Sequence, residues 1–131
     1  MSSSTHDTIN AMYAACQSGD NEALKATLHP DVRLIEAESL PYGGISEGPD
    51  EFARTVNLVF NTWEGIELTF NEFIGDGDTV MVMLEMQGKG KSTGKHFTCP
   101  IAELFHMKDG KILEVQPFYF DTKMLHEVHF A

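Results

Sequence analysis

The stretch from His96 to Asp121, HFTCPIAELFHMKDGKILEVQPFYFD, narrows the choice of folds more than any other. Two apolar runs flank Lys108-Asp109-Gly110-Lys111. Asp-Gly between strand-forming runs is the strongest short-range signal for a β-hairpin. Both runs are too apolar for a sheet with one face in water, so each side requires cover. In the first run Glu103 shares its parity with Cys99, Ile101 and Phe105. A carboxylate among Ile101, Ala102, Leu104 and Phe105 must reach a partner or hold a proton, because burial disfavours the charged form. Glu103 is therefore the first candidate for function.

Ahead of the hairpin the apolar period is mostly helical. Ser2 to Thr5 supply a start and a cap, after which Ile9, Met12, Tyr13 and Cys16 recur at i, i+3, i+4 and i+7. Ser18-Gly19-Asp20 ends this helix and caps a shorter one, in which Ala23, Leu24 and Leu28 face one way and which Pro30 stops. Val32 to Glu36 reads as a short strand with Val32, Leu34 and Glu36 on one side, followed by a loop rich in turn formers from Ser39 to Gly44. Gly48-Pro49-Asp50-Glu51 opens a third helix, since proline suits the first turn and acids suit its dipole. Its stripe is Phe52, Val56, Val59, Phe60 and Trp63.

From Gly65 the period becomes 2: Ile66, Leu68 and Phe70 alternate with Glu67, Thr69 and Asn71. Gly75-Asp76-Gly77-Asp78 is a turn, Thr79 to Gln87 the next strand, and Gly88 to Lys95 a connection into the His96 strand. Asp121 caps a short terminal helix carrying Met124, Leu125 and Val128. Helices followed by four long antiparallel strands make an α+β pattern, and 131 residues suffice for a single domain, residues 1–131, with one core. Three helices on one face of a curved sheet would enclose a cavity. The other face would remain apolar, at Ile112 and Phe118 for instance, so a homodimer is expected.

A net charge of −11 argues against nucleic acid, because phosphate binding needs Lys and Arg. No apolar run approaches the roughly 20 residues of a membrane span. The opening residues lack a basic segment followed by an apolar one, so no secretory signal is expected. Cys16 and Cys99 read as free thiols of a reducing, cytoplasmic compartment. Gly90-Lys91-Ser92 has Glu85 where a phosphate-binding loop needs glycine, and it opens a strand. His126 and His129 are spaced i, i+3 rather than the i, i+4 of a zinc-protease helix, so no metal and no other cofactor is expected.

Glu36 and Glu103 form the pair of interest. Either both are exposed or paired with Arg33, Arg54 or a lysine, or both point into the cavity, where low polarity raises their pKa values. Two buried carboxyl groups in different surroundings can divide labour as base and protonated donor.

The pattern resembles the nuclear transport factor 2-like superfamily, in particular its SnoaL-like and ketosteroid isomerase-like members. The residues that carry the likeness are Gly19-Asp20 through Glu36, Leu40-Pro41-Tyr42-Gly43-Gly44 to Gly48-Pro49, and Phe105 to Asp121. The resemblance implies a cone-shaped, cystatin-like α+β fold with an apolar pocket, usually dimeric. It sets Glu36 where the isomerases keep their base and Glu103 where they keep the neutral acid of the oxyanion hole, the arrangement known for a carboxylic acid held protonated at neutral pH. Met12 takes the place of the oxyanion tyrosine, with Tyr13 one residue on, and Leu28 that of a partner tyrosine. Pro117 stands where the SnoaL-type aldol cyclases keep an acid–base aspartate.

The expectation is a cofactor-free enzyme acting on a small, mostly apolar carbonyl compound. Glu36 removes a proton next to the carbonyl, and protonated Glu103 hydrogen-bonds the enolate oxygen with help from Tyr13 or Tyr119. Trp63, Phe52, Phe60 and Phe118 shape the pocket, with Tyr42 and Val56 completing the candidate substrate-binding set. The alternatives are a non-catalytic domain that binds small hydrophobic ligands in the same cavity, and a structural dimerisation domain with a filled core.

Overall fold

The structure, a computed structural model, describes residues 4–130. Its elements are α1 (Ser4–Ser18), α2 (Asn21–Ala26), β1 (Leu28–Glu36), β2 (Gly44–Glu47), α3 (Pro49–Thr62), β3 (Trp63–Ile74), β4 (Thr79–Gly90), β5 (His96–Lys108), β6 (Lys111–Tyr119) and α4 (Thr122–His129). Ser2 and Ser3, assigned to the first cap, lie outside the described residues, whereas Ser4 and Thr5 are already inside α1. The α+β architecture is the one expected: three N-terminal helices, one six-stranded sheet and a short final helix.

The sheet order is β2-β1-β6-β5-β4-β3. The four long strands β3 to β6 are consecutive antiparallel neighbours, while β1 joins β6 in parallel, so the sheet is mixed rather than wholly antiparallel. Asp109 and Gly110 form the β5–β6 turn with φ of 54° and 72°, the pair of positive values that tight hairpins demand.

Three local readings change. Leu28 belongs to β1 and not to the second helix, because the Asp20-capped helix ends at Ala26 and Thr27 ends it by donating back to the Leu24 carbonyl. Pro30 sits inside the strand, at the irregular stretch between Leu28 and Arg33 where β1 and β6 lose register. Proline, lacking an N–H, is tolerated at such a place. Gly44–Glu47, taken as the tail of a loop, forms the edge strand β2.

Bulges reset parity on both β6 and β3. Met107 pairs with Ile112 and His106 with Glu114, so Leu113 is an extra residue on β6. That turns Ile112 onto the same face as Val115; it is fully buried in the core, not on the outer face as expected. On β3, Asn71 is the extra residue between Phe70 and Glu72. Phe70 then meets Tyr13 and Phe73 meets His6, both on α1.

The core lies between the helices and the concave face of the sheet. It combines Ile9, Met12 and Ala15 of α1, Phe52 and Val56 of α3, and the inward rows Val80/Val82/Leu84/Met86 and Phe97/Cys99/Ile101/Phe105. The Gly88–Lys95 connection receives the end of α4: Ser92 donates to the His129 carbonyl at 3.1 Å and Thr93 to the Val128 carbonyl at 2.6 Å. The Gly90-Lys91-Ser92 segment thus caps a helix end. No helix among the described residues is long and apolar enough to cross a membrane.

Candidate functional site

β1 buries alternate residues toward its end, so Val32, Leu34 and Glu36 face inward together. Glu36 is 6% exposed. On β5 the inward row Cys99, Ile101, Glu103, Phe105 places the second carboxyl group on the same concave face. The strand between them is β6. Glu103 is paired with Pro117, and Leu34 lies beside Val115 in the parallel ladder, so Glu36, two residues on, comes level with Pro117. The two glutamates therefore flank Pro117 from opposite sides, with backbones about two strand spacings, roughly 10 Å, apart.

Both line one apolar pocket, of roughly 630 Å³ counting the space at its mouth. α1 supplies Met12, Tyr13 and Cys16 to its wall, and α3 supplies Phe52, Val56, Val59 and Phe60. The sheet supplies Leu34, Ile66, Leu68, Leu84, Met86, Ile101, Val115 and Pro117. A pocket with an apolar wall and a few convergent polar groups is the usual form of a small-molecule site.

Each carboxyl group has its own tyrosine. Tyr119 donates to Glu36 Oε1 at 3.0 Å, and Tyr13 donates to Glu103 Oε1. Among the described residues no cation forms an ion pair with either; Arg33 instead reaches Glu114 at 3.4 Å. Burial, with repulsion from Glu103 as the second cause, pushes Glu36 from 4.5 up to about 8, against the opposing bond from Tyr119. Burial pushes Glu103 up to about 7, against the opposing bond from Tyr13. Near neutrality the pair thus holds one proton and one negative charge, a property of both groups together. Burial and the nearby carboxylates drive Tyr13 and Tyr119 well above the ordinary phenol range. They also push the Cys16 thiol up to about 12, leaving it a protonated wall residue.

The pocket wall contains Glu36, Glu103, Tyr13, Phe52, Val56 and Phe60 from the set named by sequence. It does not contain Tyr42, Trp63, Phe118 or Tyr119. Phe118 has the wrong parity: Val115 and Pro117 face inward, so Phe118 emerges on the opposite face and is 49% exposed. Trp63 follows the last residue of α3 and starts β3, and the change of backbone direction carries its ring behind the pocket, against Phe97 and His129. Its Nε1 donates to Tyr42 Oη at 3.1 Å, and the Tyr42 and Tyr119 rings meet edge to face with centroids 6.5 Å apart. Tyr42 and Trp63, both buried, and the partly buried Tyr119 thus form a layer behind Glu36. The wall residues that the sequence reading passed over, such as Leu34, Leu84, Met86 and Ile101, were within reach of strand parity alone.

Comparison with known proteins agrees with the fold. An NTF2-like protein from Burkholderia thailandensis E264 is 26% identical, with 98% of each chain covered and a TM-score of 0.85. TerC, co-crystallised with polyporic acid, is 28% identical over 96% of this chain and 98% of its own, with a TM-score of 0.84. A protein of ketosteroid isomerase-like fold from Catenulispora acidiphila DSM 44928, in complex with trimethylamine, shares the fold at 20% identity, 86% and 84% coverage and a TM-score of 0.74. No curated protein matches the chain. The model of the SnoaL-like domain matches residues 9–115, which takes in α1 through the first half of β6 and all of the pocket wall but Pro117, and the chain belongs to that family.

Proposed function

We propose that the protein is a cofactor-free acid–base enzyme that moves a proton next to the carbonyl of a small, mostly apolar substrate. The observation that carries this reading is the meeting of Glu36 and Glu103 in one apolar pocket, each hydrogen-bonded to a tyrosine and both titrating near neutral pH. A general base works best when its pKa lies near the working pH, and an un-ionised carboxylic acid beside it is a strong donor to a developing oxyanion. Glu36, in the molecules where it is the ionised member of the pair, acts as the base. Glu103, with Tyr13 beside it on the wall, donates to the enolate oxygen, and Phe52, Val56 and Phe60 hold the apolar body of the substrate.

The test is exchange of substrate protons for deuterium, followed by proton NMR in heavy water over a panel of steroid enones and cyclic ketones that carry protons next to the carbonyl. Exchange next to the carbonyl that is fast with the wild type and near background with Glu36→Gln and Glu103→Gln supports the reading. Binding of a panel member, seen as a raised melting temperature, without any catalysed exchange refutes it.

That second outcome is the one expected of a non-catalytic binding domain. The wall favours it to the extent that Glu36 and Glu103 are its only charged residues, and the co-crystal of TerC with polyporic acid lends support to a small organic ligand.

For the outer sheet face we infer a second copy of the chain. Met83, Ala102 and Phe118 lie side by side on β4, β5 and β6, and Met81 and Leu104 pair in the next row. Phe118→Arg should convert a dimer to a monomer in light scattering, and a wild type that is monomeric at high concentration contradicts the inference.

A further inference from the structure

We propose that the pocket takes a small apolar amine, bound as its ammonium ion with Glu36 and Glu103 as the counter-charges. This rests on the acid–base reading only in its first step, that both carboxyl groups face one pocket; its test reads affinity and proton release and not turnover.

The polar groups of the pocket are mostly acceptors. Glu36 and Glu103 each bring a pair of carboxyl oxygens to the wall, against the Tyr13 hydroxyl and the Cys16 thiol, a weak donor. Tyr13 already donates to Glu103 Oε1, and Tyr119, from behind the wall, donates to Glu36 Oε1. Among the described residues no hydrogen bond reaches Oε2 of either carboxyl group. Arg33 Nε is the one buried side-chain atom among them that lacks a partner, so both Oε2 atoms retain open surface, and the space beside them is the pocket. A ligand seated there must bring donors. A neutral ketone brings none and relies on the pair's single proton, whereas a primary ammonium ion brings three donors and a charge.

Charge selects the same ligand. An anion in an apolar cavity is costly without a counter-charge, and among the described residues no Lys or Arg pairs with either glutamate. A ligand anion would add to that cost, and the chain's net charge of −11 repels one on approach while drawing cations in. A hard metal ion takes six or more oxygens, whereas among the described residues no group of three or more metal-binding side chains converges. An organic cation needs no such shell, and the rings of Tyr13, Phe52 and Phe60 on the wall suit both its apolar body and its charge. The two carboxyl groups are near enough to repel one another, so an ion between them faces both.

An opposite charge nearby favours the ionised form of each group. The one proton held by the pair therefore leaves for solvent, and the complex contains two carboxylates and one ammonium ion. A Glu103 without its proton cannot donate to a carbonyl oxygen, so a bound amine also blocks the exchange reaction. The other ionisable groups that bear on the pair are Tyr13 and Cys16 of α1, Tyr119 of β6 and, behind the wall, Tyr42 of the β1–β2 loop with Cys99 of β5 beside it. Burial raises all five, so they stay protonated while the pair titrates.

The experiment is titration calorimetry at neutral pH in two buffers of different ionisation enthalpy, with cyclohexylmethylamine, cyclohexylmethanol and cyclohexanecarboxylate as probes. The amine should bind about tenfold or more tighter than the alcohol of the same shape. The carboxylate should bind more weakly than either, and the buffer comparison should give about one proton released per amine bound. The double variant Glu36→Gln, Glu103→Gln should bind amine and alcohol alike and release no proton. An amine that binds no tighter than the alcohol or the carboxylate overturns the proposal. So does amine binding without proton release, or amine binding undiminished in the double variant. If the double variant does not fold, the three probes on the wild type alone decide. Amine binding with proton release, in a protein that catalyses no deuterium exchange, would retain the proposal and discard the enzymatic reading. Catalysed exchange in a protein that does not bind the amine would do the reverse, so the two failures are distinct.

Discussion

Glu36→Gln should gain stability relative to the wild type as pH rises, and should exceed it near pH 8. The carboxyl group titrates at about 4.5 in the unfolded chain and about 8 in the fold. Below pH 4.5 both states hold the proton and the group contributes no difference. Between about 4.5 and 8 the unfolded chain releases its proton while the folded protein retains it. The unfolded state then binds fewer protons, and stability falls as pH rises. Above about 8 both states are ionised and the loss levels off. At about 1.4 kcal/mol per pH unit the displacement is worth at most about 5 kcal/mol, and relaxation around a buried charge reduces this to about 2–4 kcal/mol. Glutamine keeps the size of the side chain and an oxygen for Tyr119, but its NH2 needs an acceptor that is not provided, a pH-independent cost of about 1–2 kcal/mol. Urea unfolding of both proteins from about pH 5 to about pH 8 isolates the slope from that offset. The wild-type curve should descend steeply and the variant's only with the smaller contribution of Glu103. Parallel curves would refute the assignment of a buried, proton-retaining Glu36.

Two further outcomes follow from the packing. Phe52→Ala should cost about 3–5 kcal/mol in urea unfolding, because Phe52 is 1% exposed and its removal leaves a cavity that opens into the pocket; the variant should also admit a bulkier member of the ligand panel. Gly43→Ala should cost at least about 1–3 kcal/mol, since an added Cβ would stand 2.4 Å from the Ala37 carbonyl oxygen and 2.7 Å from that of Glu38. The shift would displace the neighbouring Tyr42, so its deuterium-exchange activity should fall even where the protein remains folded.

Much of the fold can be read along the chain because local rules govern it. The Asp109-Gly110 hairpin, the capped α2 and α4 and the stripe of α3 each depend on residues within a turn or two of one another. Strand parity likewise puts Leu34 with Glu36 and Ile101 with Glu103 on the inner face. Parity fails where a bulge inserts a residue, because nothing in the sequence around Leu113 marks it as the extra one; Ile112 is inside for that reason. Phe118 is a different case: its neighbours alternate regularly, and its size and apolarity suggested a pocket wall although its parity pointed outward. Edge strand β2 forms because β1 offers it a partner, not because Gly44–Glu47 favours extension. The layer behind Glu36 joins Tyr42 to Trp63 across 21 positions and Glu36 to Tyr119 across 83, a juxtaposition that only the closed sheet produces.

The most direct test is to count protons in the pocket. An infrared difference spectrum at neutral pH between the wild type and the Glu36→Gln, Glu103→Gln double variant should contain the carbonyl stretch of one un-ionised carboxylic acid together with one carboxylate. The acid band should vanish as pH is raised through about 8, as the second member of the pair ionises. Two carboxylates and no acid band at neutral pH would contradict the account.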